Sequence, residues 1–264
     1  MFLSLANCAL PTAVALGLVR RAMSSSSSSS SSSIQIKTLH VYDHCPFCIR
    51  VDLVLGWNDI LYSRKLYGYA DIDGPTALTG KKQLPVLEYV QDGETKYLPE
   101  SLDIIEFLVE KGFAARPPMA QSTQRQQSLK TWEKQHKPSV NDLTRSRILK
   151  LPKEYVDFAT QADRDYAMNK YIKKGFSYTN AQARTEEALA ECAASLQAFE
   201  QEFLPNGEIS LHGGTEYGMD DIVYLPDLRK LTCVKDLQIP AGVRKYVETA
   251  MNKGGVSLYN DWAC

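Results

Sequence analysis

No excess of charge of either sign runs through this sequence: 30 Lys and Arg stand against 31 Asp and Glu, a formal net charge of -1. A nucleic-acid partner calls for a basic footprint, so that class is excluded. Cysteine is sparse as well. There are six in 264 residues, and Cys8, Cys192, Cys233 and Cys264 are isolated, which excludes the dense framework of a small secreted disulfide protein and favours a reducing compartment. No uninterrupted apolar run is long enough for a spanning helix. The most apolar stretch, Phe2 to Val19, is broken by Asn7 and Pro11, so no stable membrane association is expected.

Acidic residues are missing altogether from Met1 to Met23, and that segment also lacks the basic start of a secretory signal. It ends Arg20-Arg21-Ala22-Met23 and runs into unbroken serine from Ser24 to Ser33. An acid-free segment with an arginine pair reads as a transit peptide, which makes the mitochondrion the expected location. An internal start at Met23 would give a cytoplasmic form. The serine run can bury nothing and reads as a flexible linker, so residues 1–33 are expected to be a disordered targeting segment and linker.

What is present is a globular composition, 44% hydrophobic and 23% charged, with enough chain for two domains. The chain is organised around Val41-Tyr42-Asp43-His44-Cys45-Pro46-Phe47-Cys48-Ile49. Ile34 to Tyr42 alternates apolar and polar residues, with β-branched and aromatic side chains, and reads as a strand. Cys48 to Leu55 carries apolar residues at helical spacing, with Gly56 to stop it. Pro46 suits a first helical turn, where its missing N–H has no partner to lose. Cys45 then occupies the N-cap, where free N–H groups and the helix dipole favour a thiolate. Cys48, one turn below, is placed to form a disulfide with Cys45 or to attack a mixed disulfide made there. Strand, Cys-x-x-Cys and helix in this order form a thioredoxin-like redox arrangement. Such a pair can also hold half of a tetrahedral zinc site, but the sequence has no second pair to complete the four ligands, and no metal is required.

Further along, Ile60–Tyr67 reads as a second strand, and Asp71–Leu78 as a short helical connection ending at Gly80. Leu84–Val90 and Lys96–Leu98 flank the turn Gln91-Asp92-Gly93-Glu94, a hairpin signal. Pro99–Leu108 is an amphipathic helix with proline at its start. The alternation then ends. Residues 113–121, with Arg116-Pro117-Pro118, read as a connection, and helical periodicity fills Ser122–Leu143, Glu154–Lys174, Asn180–Phe203, Asp221–Leu231 and Ala241–Met251. An α/β domain over 34–112 is therefore followed by an all-helical domain over 122–264. Asp220-Asp221 stands at a helix start, where carboxylates can cap free N–H groups. His40, in the strand alternation, is expected to face solvent or core.

Tyr42-Asp43-His44-Cys45-Pro46-Phe47-Cys48, Gly80-Lys81-Lys82-Gln83-Leu84-Pro85-Val86-Leu87 and Pro99-Glu100-Ser101-Leu102-Asp103-Ile104 together resemble the bacterial glutaredoxin 2 family. Tyr171-Ile172-Lys173-Lys174, Asp220-Asp221-Ile222 and Leu225–Thr232 extend the likeness to roughly 34–262. Two positions depart from it: Phe47 where the family usually has tyrosine, and Gly218 where a serine would begin the capping motif. The resemblance implies a thioredoxin fold in a two-domain, glutathione-transferase-like architecture. It also implies glutathione-dependent reduction of protein disulfides and glutathione mixed disulfides, with glutathione as co-substrate. Under it, Cys45 and Cys48 are catalytic. Leu84, before a cis Pro85, meets the cysteine part of glutathione through its backbone. Glu100 and Ser101 hold the γ-glutamyl end. Lys81, Lys82 and Gln83 are candidates for the glycine carboxylate, with no one of them singled out. Glutaredoxin-like folds can also hold an iron–sulfur cluster through such a cysteine and glutathione. Two alternatives share the pattern: a prostaglandin E synthase type of enzyme with a similar Cys-Pro-Phe-Cys, and a glutathione-binding protein without turnover.

Overall fold

The computed structural model describes residues 33–119, 122–212 and 216–264. The targeting segment and linker read over residues 1–33 lie outside the described residues, Ser33 excepted.

The first elements follow in the expected order: β1 (Ile34–Val41), α1 (Pro46–Trp57), β2 (Ser63–Leu66), α2 (Asp73–Thr79), β3 (Val86–Gln91), β4 (Glu94–Pro99) and α3 (Ser101–Glu110). The sheet order is β2-β1-β3-β4, with β1 parallel to β2 and antiparallel to β3, and β3 antiparallel to β4. A parallel pair needs a crossover, and α1 supplies it. β3 and β4 close on Asp92-Gly93, both at positive φ (54° and 83°), the conformation that a tight two-residue turn demands. Pro99 does not open α3 as expected. It is the last residue of β4, and Glu100 stands between strand and helix.

α1 is apolar on nearly every side because it is buried on two faces. Cys48, Val51, Val54 and Leu55 join Leu39, Leu87 and Ile104 beneath the sheet. Ile49 and Leu53 pack the other way, among side chains of the helical layer. Each such side chain contributes about 1.5–3 kcal/mol when fully withdrawn from water. Gly56 is not the stop that its position suggests, since α1 runs on to Trp57. A Cβ at Gly56 would sit 2.3 Å from the carbonyl oxygen of Gly254, so the glycine is there for a close backbone approach.

The second layer is helical: α4 (Thr123–Ile148), α5 (Gln161–Lys173), α6 (Tyr178–Ala183), α7 (Thr185–Phe203), α8 (Met219–Lys230) and α9 (Ala241–Lys253). α4 extends past its expected end at Leu143, carrying Pro138 inside it. The stretch 154–174 divides into a 3-10 turn, Val156–Phe158, and α5, which starts at a Thr160–Asp163 capping box. The stretch 180–203 divides into α6 and α7 at Arg184. At the start of α8 the carboxylate of Asp221 accepts from the N–H groups of Gly218 (2.6 Å) and Leu211 (2.7 Å) and from the hydroxyls of Ser210 and Tyr246. The N–H of Met219 goes to the Pro118 carbonyl at 2.9 Å. A Cβ at Gly218 would lie 2.6 Å from that same carbonyl, so the serine of the family motif would collide with the connection.

Residues 33–264 pack as one compact unit, a thioredoxin-like α/β domain followed by an all-helical domain, with a core that passes through both. No helix among the described residues is long and apolar enough to cross a membrane.

Candidate active site

Cys45 is the N-cap of α1, with Pro46 in the first turn. Its side chain makes no cap hydrogen bond of its own. Its thiol is nonetheless held down to about 6, chiefly by the hydrogen bond from Cys48, opposed by burial, and helped by His44 and by the N–H groups of Cys48 and Phe47. Cys48 is fully buried, and burial together with its bond to Cys45 pushes its thiol well up. Its sulfur accepts from the N–H of Tyr42 at 3.4 Å. The two sulfurs thus differ in the direction that the helix-start position implies, with the neighbouring thiol as a further cause. All five cysteines among the described residues are free.

The loop ahead of Cys45 is gripped from the helical domain on two sides. Asp157, in the 3-10 turn, accepts from the backbone N–H of His44 at 2.7 Å and from its Nδ1 at 2.6 Å. Arg229, on α8, donates to the Asp43 carbonyl and to its carboxylate, each at 2.8 Å, and to the Tyr259 hydroxyl at 2.6 Å. Burial alone would push the Asp43 carboxyl up, but Arg229 and Arg64 bring it below the ordinary carboxylate range. Asp52, one turn beyond Cys48 on α1, is buried and pushed up despite bonds from Arg64 and Tyr62. The His44 ring lies among Tyr69 (4.5 Å between centroids), Phe158 (4.6 Å) and Tyr42 (6.0 Å). Sequence reasoning missed Asp157, which sits in an irregular stretch 113 residues from His44 with no motif around it.

Leu84 precedes Pro85 through a cis peptide bond, as the resemblance implies. It lies just ahead of β3, outside the sheet register, so no strand takes its N–H and C=O. Pro85 is buried beneath it. Glu100 is exposed at the N-cap of α3 with φ 71°, and its side chain caps nothing. A non-glycine residue held there costs about 1–3 kcal/mol, an expense that recurs at functional sites. Ser101, the first residue of α3, is buried.

A cleft of about 550 Å³ opens on Cys45 between the two domains. Cys45 and Leu84 line it, whereas Cys48, Pro85, Glu100 and Ser101 do not. Of the candidates for a glycine carboxylate, Lys82 and Gln83 line it and Lys81 does not. The amine of Lys82 is occupied, donating to the Tyr69 carbonyl at 2.6 Å and resting over the Tyr166 ring at 3.5 Å. His40 turns to the core, where Tyr67 and Glu88 take its two ring nitrogens.

Fold and site together define a glutathione-transferase-like protein that carries a thioredoxin-type Cys-x-x-Cys. Residues 44–111 match the model of the glutathione S-transferase N-terminal domain, and residues 128–263 that of the glutaredoxin 2 C-terminal domain. The chain belongs to the glutaredoxin 2 family. It is 26% identical over 229 residues to glutaredoxin 2 of Escherichia coli (strain K12), spanning 85% of this chain and 99% of that protein. Among solved structures, glutaredoxin 2 from Salmonella typhimurium in complex with glutathione matches with a TM-score of 0.75 at 24% identity, covering 89% of this chain and all of that one. FzlA from C. crescentus matches with a TM-score of 0.52 at 14% identity, over 86% of this chain and 99% of that one. These structural likenesses concern the fold.

Proposed function

We propose that the protein is a glutathione-dependent thiol–disulfide oxidoreductase that reduces glutathione mixed disulfides and protein disulfides. The observation that carries this reading is the placement of its two thiols: Cys45 stands at the N-cap of α1 and lines the cleft, and Cys48 is buried one turn below it. The Cys45 thiolate attacks the glutathione sulfur of a mixed disulfide, and the partner leaves as a thiolate that takes its proton from solvent. A second glutathione thiolate then attacks the Cys45–glutathione bond, giving glutathione disulfide and the free Cys45 thiolate. On an intramolecular protein disulfide, Cys45 forms the mixed disulfide with the partner, Cys48 displaces the partner, and two glutathione molecules reduce the resulting Cys45–Cys48 bridge.

In this reading the unpaired backbone of Leu84 binds the cysteine part of glutathione as an added strand would, with Pro85 shaping the turn. The exposed Glu100 carboxylate holds the γ-glutamyl ammonium, and the start of α3 with the Ser101 hydroxyl takes the γ-glutamyl carboxylate. The catalytic assignment is tested by disulfide reduction coupled to glutathione, NADPH and glutathione reductase. The wild type turns over and Cys45→Ser does not. Equal rates for the two proteins, or no turnover by the wild type, would reject it. We further propose from composition that residues 1–33 direct the chain to the mitochondrion. A fluorescent fusion to residues 1–33 that stays in the cytoplasm would reject that.

A further inference from the structure

The cleft beside Cys45 has a charge that the chain as a whole does not. Two carboxylates line it, and both are matched: Glu133 by Lys137 at 3.3 Å, and Asp227 by Lys230 at 2.5 Å. Its remaining cations are Arg50 and Lys82 from the first domain and Arg145, Lys170 and Lys174 from the second, and among the described residues none of them has a carboxylate within salt-bridge reach. In a protein of net charge -1, a concave wall of one sign focuses field on whatever enters. Some of these cations rest on neutral partners. Lys170 donates to the Tyr69 hydroxyl, and Arg145 lies over the rings of Tyr171 and Phe176 at 4.4 and 4.5 Å. Such contacts orient a charge without neutralising it.

A second observation in the same cleft is independent of charge. His136 is 4% exposed, lines the cleft, and stacks on Trp132 with ring centroids 4.4 Å apart. Both of its ring nitrogens lack a hydrogen-bond partner. Burial lowers it to about 4, so at neutral pH it offers one N–H and one lone pair. A buried polar group left without a partner is destabilising, and a polar guest in the cleft would offset that. Glutathione, with two carboxylates and one ammonium, neutralises only part of the cationic wall. The other half of its mixed disulfide, the protein chain, lies against the same sulfur.

We infer that this cleft receives an acidic stretch of the polypeptide that carries the disulfide, held by the unpaired cations of both domains and by a hydrogen bond to His136. The inference rests on Cys45 as the exchanging thiol. It makes the protein selective for disulfides flanked by Asp or Glu, through encounter rate and KM.

The test uses two synthetic peptides of equal length, each glutathionylated on one cysteine, one flanked by Glu and the other by Lys. Wild type at low salt is expected to favour the acidic peptide in kcat/KM by roughly tenfold, with the ratio shrinking as salt screens the wall. Lys170→Glu/Lys174→Glu reverses two of the unpaired cations of the second domain and should bring the ratio to one or below. His136→Phe keeps the stack on Trp132 and should raise KM for the acidic peptide several-fold. A wild-type ratio near one, or the same ratio in the double variant, overturns the inference while leaving the oxidoreductase reading intact. Equal inhibition of both peptides by tripolyphosphate, without preference between them, overturns it in favour of a small polyanion. Failure to turn over either peptide removes the oxidoreductase reading itself, and this inference with it.

Discussion

At the scale of single residues, Cys45 and Cys48 share a helix and differ in what solvent can reach. The Cys48 thiol donates to Cys45, so the proton stays on the buried sulfur and the charge on the open one. Because the nucleophile is the thiolate, alkylation of Cys45 should rise with pH through a midpoint near 6 and level off above it, measured with iodoacetamide under pseudo-first-order conditions. Cys48→Ala removes the donor and should move that midpoint toward the ordinary thiol value of about 8.5, whereas Cys48→Ser keeps a donor and should leave it low. A midpoint unchanged in Cys48→Ala would return the credit to the helix start. The same Cys48→Ser variant should retain reduction of glutathione mixed disulfides, where free glutathione makes the second attack. It should lose most of its rate on intramolecular protein disulfides, where a thiol one turn away acts at far higher effective concentration than diffusing glutathione. Equal loss on both substrates in steady-state assays would make Cys48 a structural residue.

At the scale of elements, the Cys-x-x-Cys helix start, the Asp92-Gly93 hairpin and the helical character of the second layer were legible, because each is written in adjacent residues. Contacts between distant segments were not. Gly56 read as a helix stop because glycine after an apolar run usually is one. Its role is the close approach to the Gly254 backbone, whose carbonyl oxygen would lie 2.3 Å from a Cβ built there. Gly254 belongs to a segment almost two hundred residues later and carries no matching signal. Gly56→Ala should therefore destabilise. The helix-propensity gain of about 1 kcal/mol is outweighed by backbone overlap, which costs about 1–3 kcal/mol beyond that gain, readable as a lower urea midpoint at constant slope. Pro99 read as a helix opener and is a strand end, since Glu100 at positive φ makes the turn between β4 and α3. The Asp157–His44 and Arg229–Asp43 clamps had no local pattern to betray them. Removing one partner of a buried ion pair strands the other, so Arg229→Met should cost about 3–5 kcal/mol in urea unfolding. A loss under 1 kcal/mol would mean that Asp43 finds water when Arg229 is gone.

At the scale of the whole molecule, the two domains share a core in which Ile49, Leu53 and Tyr69 pack among residues of the helical layer. Far-UV circular dichroism and tryptophan fluorescence should accordingly report one coincident transition, and two separated transitions would show that the domains unfold apart. This joint construction sets Cys45 in a cleft lined by cations of both domains and fixes the loop at His44 from across the interface. Its purpose, in this account, is exchange between glutathione and the Cys45 sulfur. The most direct test is to treat Cys48→Ser with glutathione disulfide, quench with acid, and read the intact mass and the modified peptide. The account predicts a single glutathione, on Cys45. An unmodified protein, or glutathione carried on Cys192, Cys233 or Cys264 in place of Cys45, would contradict it.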